Sequence, residues 1–232
     1  MKYLPELSLK LINNKILKDL YNRFVDLPFR SQHIKLLERE VIGSCQTLLD
    51  IGCGDGNHVS GLAPYLQRLI GIDISPQSLT LANQRGVYTE TILIDARNID
   101  RVFPKNSFHC VVAFDLIEHI EKSQGWNILE AMERIALRKV IVFTPNGFLN
   151  QGPMDGNEHQ IHRSGWSVSD MHSRGYHVIG VHGIKLLLGE KSLPRWQPNK
   201  LWQTISVLTQ PLCLAFPKLA FQIFCVKNMQ EK

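Results

Sequence analysis

A buried strand that runs directly into a glycine-rich turn constrains the fold of this chain more than any other sequence feature. Residues 48–51 read Leu-Leu-Asp-Ile, and glycines follow at alternate positions: Gly52, Gly54 and Gly56. Glycine reaches backbone dihedrals that other residues avoid, and its missing Cβ lets a ligand approach the backbone. We expect a helix from about Asn57 to point its N-terminal amides at the same gap. The pattern predicts a strand, turn and helix that bind a nucleotide-like or zwitterionic small molecule.

The spacing of these glycines narrows the class of ligand. A dinucleotide fingerprint reads G-x-G-x-x-G near the start of its domain, whereas this chain has G-x-G-x-G after a long helical stretch. A phosphate-binding P-loop requires Gly-Lys-Ser/Thr, which this turn lacks. An NAD-linked oxidoreductase is therefore disfavoured. The glycines alone remain compatible with any tight strand-to-helix turn.

An aspartate stands at or just beyond the carboxyl end of four successive predicted strands. The strands cover 48–51, 69–74, 91–94 and 108–114, and the aspartates are Asp50, Asp73, Asp95 and Asp115. In an open α/β sheet these ends meet at one edge, where ligands bind. There Asp73 would accept both hydroxyls of a ribose. The alternative is that Asp73 caps the next helix, but Ser75 can cap that helix itself.

Taken together, these segments resemble the class I S-adenosylmethionine-dependent methyltransferases. The resemblance spans roughly residues 45 to 185 and rests on four segments in family order: Leu49 to Gly56, Gly71 to Ser75, Asp95-Ala96 and Phe114 to Ile120. It implies an α/β fold with a doubly wound, Rossmann-like, seven-stranded sheet that is mostly parallel, with its last strand antiparallel. It also implies S-adenosylmethionine (SAM) as the cofactor and S-adenosylhomocysteine as the product.

The same resemblance implies roles for individual residues around the cofactor. Asp50 and the backbone of the glycine turn would hold the methionine part, and Asp73 the ribose. Asp95 would accept a hydrogen bond from the adenine amino group, and Asp115 would border the point where cofactor and acceptor meet. The cofactor-binding residues predicted in this way are Asp50, Gly52, Cys53, Gly54, Gly56, Asp73, Ile74, Asp95, Ala96 and Asp115.

The turn after the fourth strand carries candidate catalytic groups. Asp115, Glu118 and His119 are spaced i, i+3 and i+4, so their side chains converge where the turn enters a helix. Methyl transfer to a hydroxyl needs an aligned acceptor and a base for its proton. We predict that His119 acts as that base or orients the acceptor, with Asp115 beside it.

The spacing also resembles the Glu-x-x-Glu-His element of ubiquinone-pathway O-methyltransferases, which looks like a divalent-metal site. Here the first acid is Asp115, whose reach is shorter. We therefore predict no metal ligand and keep a divalent metal as the less favoured alternative.

A second polar cluster follows the fifth predicted strand, at residues 157–166. It holds two histidines, an acid and an arginine in a glycine-rich region, where functional loops are expected. His162, close to Ser164-Gly165-Trp166, is the candidate for the acceptor pocket. The alternative is an ordered loop in which Trp166 packs beneath the next helix.

The 232 residues predict a single methyltransferase domain. Helices at about 5–24 and 32–41 would belong to an N-terminal helical cap. The absence of a signal pattern and the five scattered cysteines predict a cytoplasmic protein with reduced thiols. The predicted parts are the cap at 1–44, a cofactor-binding core at 45–183, an apolar helical insertion at 184–218, and the last strand and tail at 219–232.

The C-terminal part carries the whole net charge of +5 and many large apolar side chains. No run of basic residues is present, so an ordinary solvated surface is favoured over attraction to an anionic partner. Polar residues and prolines interrupt the apolar stretch at 185–217, which excludes a membrane span there. Three roles stay open for this stretch: a cover over the acceptor site, a homodimer surface, or a helix pair on a membrane surface.

These observations predict a SAM-dependent methyltransferase with a small-molecule acceptor, and a histidine base favours a hydroxyl oxygen. An RNA methyltransferase is the runner-up. The basic C-terminal part motivates it, and the acids at positions 115 and 118, which would repel phosphate, oppose it. A SAM-binding partner subunit without its own chemistry is the third hypothesis.

Overall fold

Seven strands form one sheet in the computed structural model, which describes residues 32–153, 157–189 and 193–229. In chain order the elements are α1 (Gln32–Val41), β1 (Thr47–Ile51), β2 (Arg68–Asp73), α2 (Pro76–Arg85), β3 (Glu90–Leu93), α3 (Ile99–Val102), β4 (Phe108–Phe114), α4 (Lys122–Ile135), β5 (Ala136–Pro145), α5 (Val168–Ser173), β6 (His177–Ile184), α6 (Asn199–Leu208), α7 (Gln210–Ala215) and β7 (Ala220–Asn228). Their order in the sheet is β3-β2-β1-β4-β5-β7-β6. The first five strands are parallel, and β7 runs antiparallel to β5 and β6. The predicted doubly wound sheet with an antiparallel last strand is confirmed.

The central strands are apolar on both faces because helices cover both sides of the sheet. Leu49 and Val111 lie in one core cluster, together with the buried face of α4. Leu48 and Val112 lie in the other, together with Leu37 of α1. Successive residues of β1 and β4 thus enter opposite cores, as the alternation of side chains along a strand requires. Because β1 to β4 are parallel and lie side by side, their carboxyl ends meet at one edge of the sheet.

The helix predicted from Asn57 is wrong. The glycine turn leads through further turns into a short 3-10 helix, Ser60–Tyr65, which contains Pro64. A proline in an α-helix interior removes a hydrogen bond and clashes with the preceding turn. The amides at the gap are therefore those of the glycine turn rather than of an α-helix N-terminus.

The N-terminal cap and the insertion agree with prediction as far as they are described. The helix predicted at 32–41 is α1, whereas the helix predicted at 5–24 lies outside the described residues. Two helices, α6 and α7, occupy the insertion. None of the helices within the described ranges is long and apolar enough to cross a membrane. The predicted domain boundaries themselves stay predictions.

The insertion helices approach β6 so closely that glycine is required there. A Cβ built on Gly183 would overlap the carbonyl and hydroxyl oxygens of Ser206 in α6, and one on Gly180 would overlap the carbonyl of Cys213 in α7. Backbone of helix and strand are therefore in direct contact. Gly183 also has a φ of +72°, in the left-handed region.

Gly183→Ala should lower the free energy of unfolding more than Gly86→Ala does. Both glycines have positive φ, 72° and 64°, but only Gly183 has atoms in the place of the new methyl group. The strained backbone should cost about 1 kcal/mol at either site, and crowding about 1–3 kcal/mol more at Gly183. Chemical denaturation of the two variants measures the difference. Equal losses would contradict the close packing of α6 on β6.

Candidate active site

A cavity of about 500 Å³ opens at the carboxyl edge of the sheet. It lies over the ends of β1 to β4, and this size suits a small-molecule ligand. The structure brings seven of the predicted cofactor-binding residues to its lining: Gly52, Gly54, Asp73, Ile74, Asp95, Ala96 and Asp115. A Cβ built on Gly54 would meet no protein atom within 4 Å, so a ligand could approach the turn at that point.

Asp50 lies beneath the glycine turn and does not line the cavity. Its side chain is 2 % exposed and accepts a hydrogen bond of 2.7 Å from the Tyr88 hydroxyl. Burial raises the pKa of the Asp50 carboxyl to about 7, and the Tyr88 hydrogen bond acts in the opposite direction. Cys53 and Gly56, which were also predicted to bind the cofactor, do not line the cavity either. Both lie next to Tyr88. Sequence reasoning missed Tyr88.

Asp73 connects the glycine turn to the start of α2. One of its oxygens accepts the Gly54 amide at 2.9 Å, and the other accepts the Ser75 amide at 2.8 Å. Each carboxylate oxygen keeps a second lone pair, so the side chain can still bind ligand hydroxyls from the cavity. The helix cap is Ser75, whose hydroxyl accepts the Ser78 amide at 3.2 Å. The competing view of Asp73 as the helix cap is therefore excluded.

Asp95 shares the adenine end of the predicted site with Arg97. The Arg97 Nε lies 3.0 and 2.9 Å from the two Asp95 oxygens. This hydrogen-bonded ion pair lowers the pKa of the Asp95 carboxyl. An adenine amino group at Asp95 would therefore share a carboxylate that already holds a guanidinium.

The predicted catalytic histidines come together, from the turn after β4 and from the loop after β5. The rings of His119 and His162 are T-shaped with centroids 4.8 Å apart. The Nδ1 of His119 lies 3.3 Å from the Ile161 carbonyl, and the Nδ1 of His162 lies 2.7 Å from the Leu149 carbonyl. Both Nδ1 atoms are assigned as protonated on these contacts, which leaves both Nε2 atoms as acceptors. Burial, and then the neighbouring His162, lower the pKa of His119 to about 4.

Glu118 completes this cluster. Its Oε2 accepts a 3.0 Å hydrogen bond from the Thr144 hydroxyl, and its buried Oε1 has no hydrogen-bond partner in the described part of the chain. Burial, and then the nearby Asp115, raise the pKa of Glu118 well above its usual value. One ligand atom from each of Glu118, His119 and His162 lies within 4.8 Å of the others. The three groups can share a proton or hold a cation.

Asp115 borders the cavity with an unusual backbone. Its φ is +45°, which non-glycine residues rarely adopt, and such outliers concentrate at functional sites. The side-chain amide of Gln222 in β7 donates to Asp115 Oδ1 at 3.1 Å, and its Oε1 lies 2.5 Å from Nδ1 of His182, whose φ is +67°. Burial raises the pKa of Asp115 to about 7.

The hydrogen-bonded row continues away from the cavity through two more histidines. His182 Nε2 lies 3.4 Å from Nδ1 of His33 in α1, and His33 Nε2 lies 3.2 Å from Nδ1 of His58. Burial lowers the pKa of His33 to about 3 and that of His182 to about 4, so both rings are neutral at physiological pH. Sequence reasoning missed this row because its members, from Asp115 to His58, come from five separate segments with no common spacing.

Comparisons with known proteins identify the class. Residues 48–138 match the family described as "Methyltransferase domain". An uncharacterized methyltransferase of Schizosaccharomyces pombe is 33 % identical over 86 residues, which are 33 % of this chain and 33 % of that protein. A small RNA 2'-O-methyltransferase of Arabidopsis thaliana is 28 % identical over 137 residues, which are 53 % of this chain and 14 % of that protein. The chain thus spans a third or less of either relative.

Solved structures with a similar fold are also methyltransferases. A SAM-dependent methyltransferase from Archaeoglobus fulgidus has a TM-score of 0.55 at 15 % identity, with 91 % of this chain and 98 % of that chain covered. The fold is that of the class I SAM-dependent methyltransferases. The match at residues 48–138 and the shared fold agree with the predicted family, whose cofactor is SAM. The likeness to the ubiquinone-pathway element stays a prediction.

Asp73→Ala should weaken SAM binding at least about tenfold. The change removes charge-assisted hydrogen bonds of about 1.5–3 kcal/mol and releases the Gly54 amide from its acceptor. Isothermal calorimetry measures the affinity. Asp100→Ala is the control, because Asp100 stands outside the 500 Å³ cavity. Unchanged affinity in Asp73→Ala would show that the ribose is held elsewhere.

Proposed function

We propose that this chain transfers the methyl group of SAM to a hydroxyl oxygen of a small-molecule acceptor, with His119 as the general base and His162 beside it. The observation that carries the proposal is the convergence of two neutral imidazoles and Glu118 beside a cavity lined by the strand-end aspartates. When bound, SAM supplies a methyl group on a positively charged sulfur. The chain then has to bind both molecules, align the acceptor hydroxyl with the methyl group, and accept the hydroxyl proton.

The acidic lining supports binding of a cationic cofactor. Asp73 and Asp115 stand along the cavity, and Asp50 lies beneath its glycine turn. The turn amides and Asp73 would hold the methionine and ribose parts, and Asp95 with the Ala96 amide the adenine. The pKa values of Asp50 and Asp115, raised to about 7, favour a ligand that brings positive charge.

The state of His119 suits a proton acceptor. Its lowered pKa keeps the ring neutral at physiological pH, and the contact of Nδ1 with Ile161 leaves Nε2 as the acceptor. As the acceptor oxygen gives electron density to a new bond, its O–H proton becomes strongly acidic. A base of low pKa is then sufficient to receive it.

A second candidate is methylation of an RNA 2'-hydroxyl assisted by a divalent cation. Glu118, His119 and His162 provide oxygen and nitrogen ligands within 4.8 Å of one another, a set that could hold such an ion. When bound there, the ion would polarise the acceptor hydroxyl. The Arabidopsis thaliana relative is a small RNA 2'-O-methyltransferase, which supports this acceptor. The acidic residues around the cavity oppose it, because they would repel phosphate.

His119→Ala should lower the rate of methyl transfer about 10²–10⁴-fold, the usual contribution of a general base. SAM affinity should change little, since the base serves the acceptor. The measurement is transfer from labelled SAM to the small-molecule fraction of a cell extract and, separately, to total RNA. The exposed histidine of α5 provides the matched control, His172→Ala. An unchanged rate in His119→Ala would rule out its catalytic role.

A chelator separates the two candidates in the same assay. Transfer that survives EDTA and depends on His119 supports the histidine base. Transfer that EDTA abolishes and Mg²⁺ or Mn²⁺ restores supports the cation at Glu118, His119 and His162. Strong labelling of RNA with none in the small-molecule fraction would overturn the proposed acceptor.

A further inference from the structure

The two insertion helices leave several large apolar side chains exposed to solvent. They pack on β6, the outermost strand of the sheet. In a surface helix of a globular protein the apolar stripe normally faces the core. Here the buried positions of α6 and α7 are Ser206 and Cys213.

Two polar residues where α6 meets α7 bind the free edge of β6. The Gln210 side chain accepts the Gly183 amide at 3.0 Å and donates to the Gly180 carbonyl at 2.9 Å. Thr209 accepts the Ile184 amide at 3.1 Å. An edge strand otherwise exposes unpaired backbone groups. The orientation of the helices is therefore set by these hydrogen bonds, and the leucines are left outside.

The outer side forms an apolar surface. Leu201 and Leu208 are spaced i and i+7 on one face of α6 and are 51 and 69 % exposed, and Leu212 of α7 is 42 % exposed. The rings of Trp196 and Trp202 contact each other, with centroids 4.9 Å apart. Further exposed apolar side chains adjoin in sequence: Leu186, Leu193, Leu214, Phe216 and Leu219. A patch of this kind marks an interaction site.

The charge of the same segment points to the partner. Residues 193–219 contain no aspartate or glutamate, and their three basic residues, Arg195, Lys200 and Lys218, are exposed. Two copies of this surface would bring like charges together, which opposes a homodimer. A cover over the acceptor site is also disfavoured, because no residue of α6 or α7 lines the 500 Å³ cavity.

We propose that the surface formed by α6, α7 and the adjoining residues 193–198 and 216–219 docks on an anionic phospholipid bilayer. Leucines and tryptophans enter the headgroup boundary, and the basic residues contact lipid phosphates. Neither helix is long enough to span the bilayer, so the pair lies along its surface. This surface is separate from the proposed active site, and the inference does not depend on the acceptor.

Vesicle flotation of the full chain tests the proposal. The protein should float with vesicles of phosphatidylcholine and phosphatidylglycerol, bind those of phosphatidylcholine alone more weakly, and lose affinity with added salt. Leu201→Gln/Leu208→Gln should weaken binding at least about tenfold. Each of Lys200→Gln and Lys218→Gln should cost about fivefold on the anionic vesicles. Lipids with brominated chains should quench the fluorescence of Trp196 and Trp202.

A matched control distinguishes this surface from exposed apolar residues in general. Leu81 of α2 and Val102 of α3 are also about half exposed, at 51 and 47 %, so their exposure is comparable with the 51 % of Leu201. Leu81→Gln/Val102→Gln should float as well as the unmodified chain. The proposal is overturned if the protein stays with the buffer, if both double variants lose binding equally, or if light scattering shows a dimer that Leu201→Gln/Leu208→Gln splits.

Discussion

The hydrogen bond from Tyr88 to the buried Asp50 carboxyl is the contact on which the cofactor end of the proposed site depends. It keeps an acid in an apolar core directly beneath the glycine turn, with no ion pair to it from the described basic residues. Glu118 and Asp115 are likewise buried carboxyls that accept hydrogen bonds from neutral donors, Thr144 for Glu118 and Gln222 for Asp115. A carboxyl without a cationic partner favours protonation or a cationic ligand. A ligand that brings positive charge would therefore stabilise these buried carboxyls, which supports the proposed cofactor.

The strand ends could be predicted because their signal is local. An apolar run followed by an aspartate encodes both the strand and the position of the acid, and most of these acids reached the cavity lining. The partners of those acids could not be predicted. Tyr88 is 38 residues from Asp50 and Gln222 is 107 residues from Asp115, and only the packed sheet brings each pair together. The pairing of His119 with His162 was predicted only as two separate candidates, for the same reason.

Two local sequence patterns did not predict the structure that they form: the glycine turn and the apolar insertion. The glycine turn suggested a following α-helix, but Pro64 allows only a short 3-10 helix there. In the insertion, Thr209 and Gln210 look like interruptions of an apolar stretch. In the fold they hold the edge of β6, and this turns the leucines outward. The composition of the insertion indicates that it is apolar. Which of its side chains face solvent depends on hydrogen bonds to the edge of β6, and sequence spacing does not reveal those bonds.

Calorimetry of SAM binding near pH 7, in buffers of different ionisation enthalpy, tests the central claim most directly. A cofactor whose positively charged methionine end lies over the glycine turn should favour the ionised form of Asp50, whose pKa is raised to about 7. The account therefore predicts binding with release of protons, and Asp50→Asn should reduce that release. Failure of SAM to bind, or binding with the same proton balance in both proteins, would contradict it.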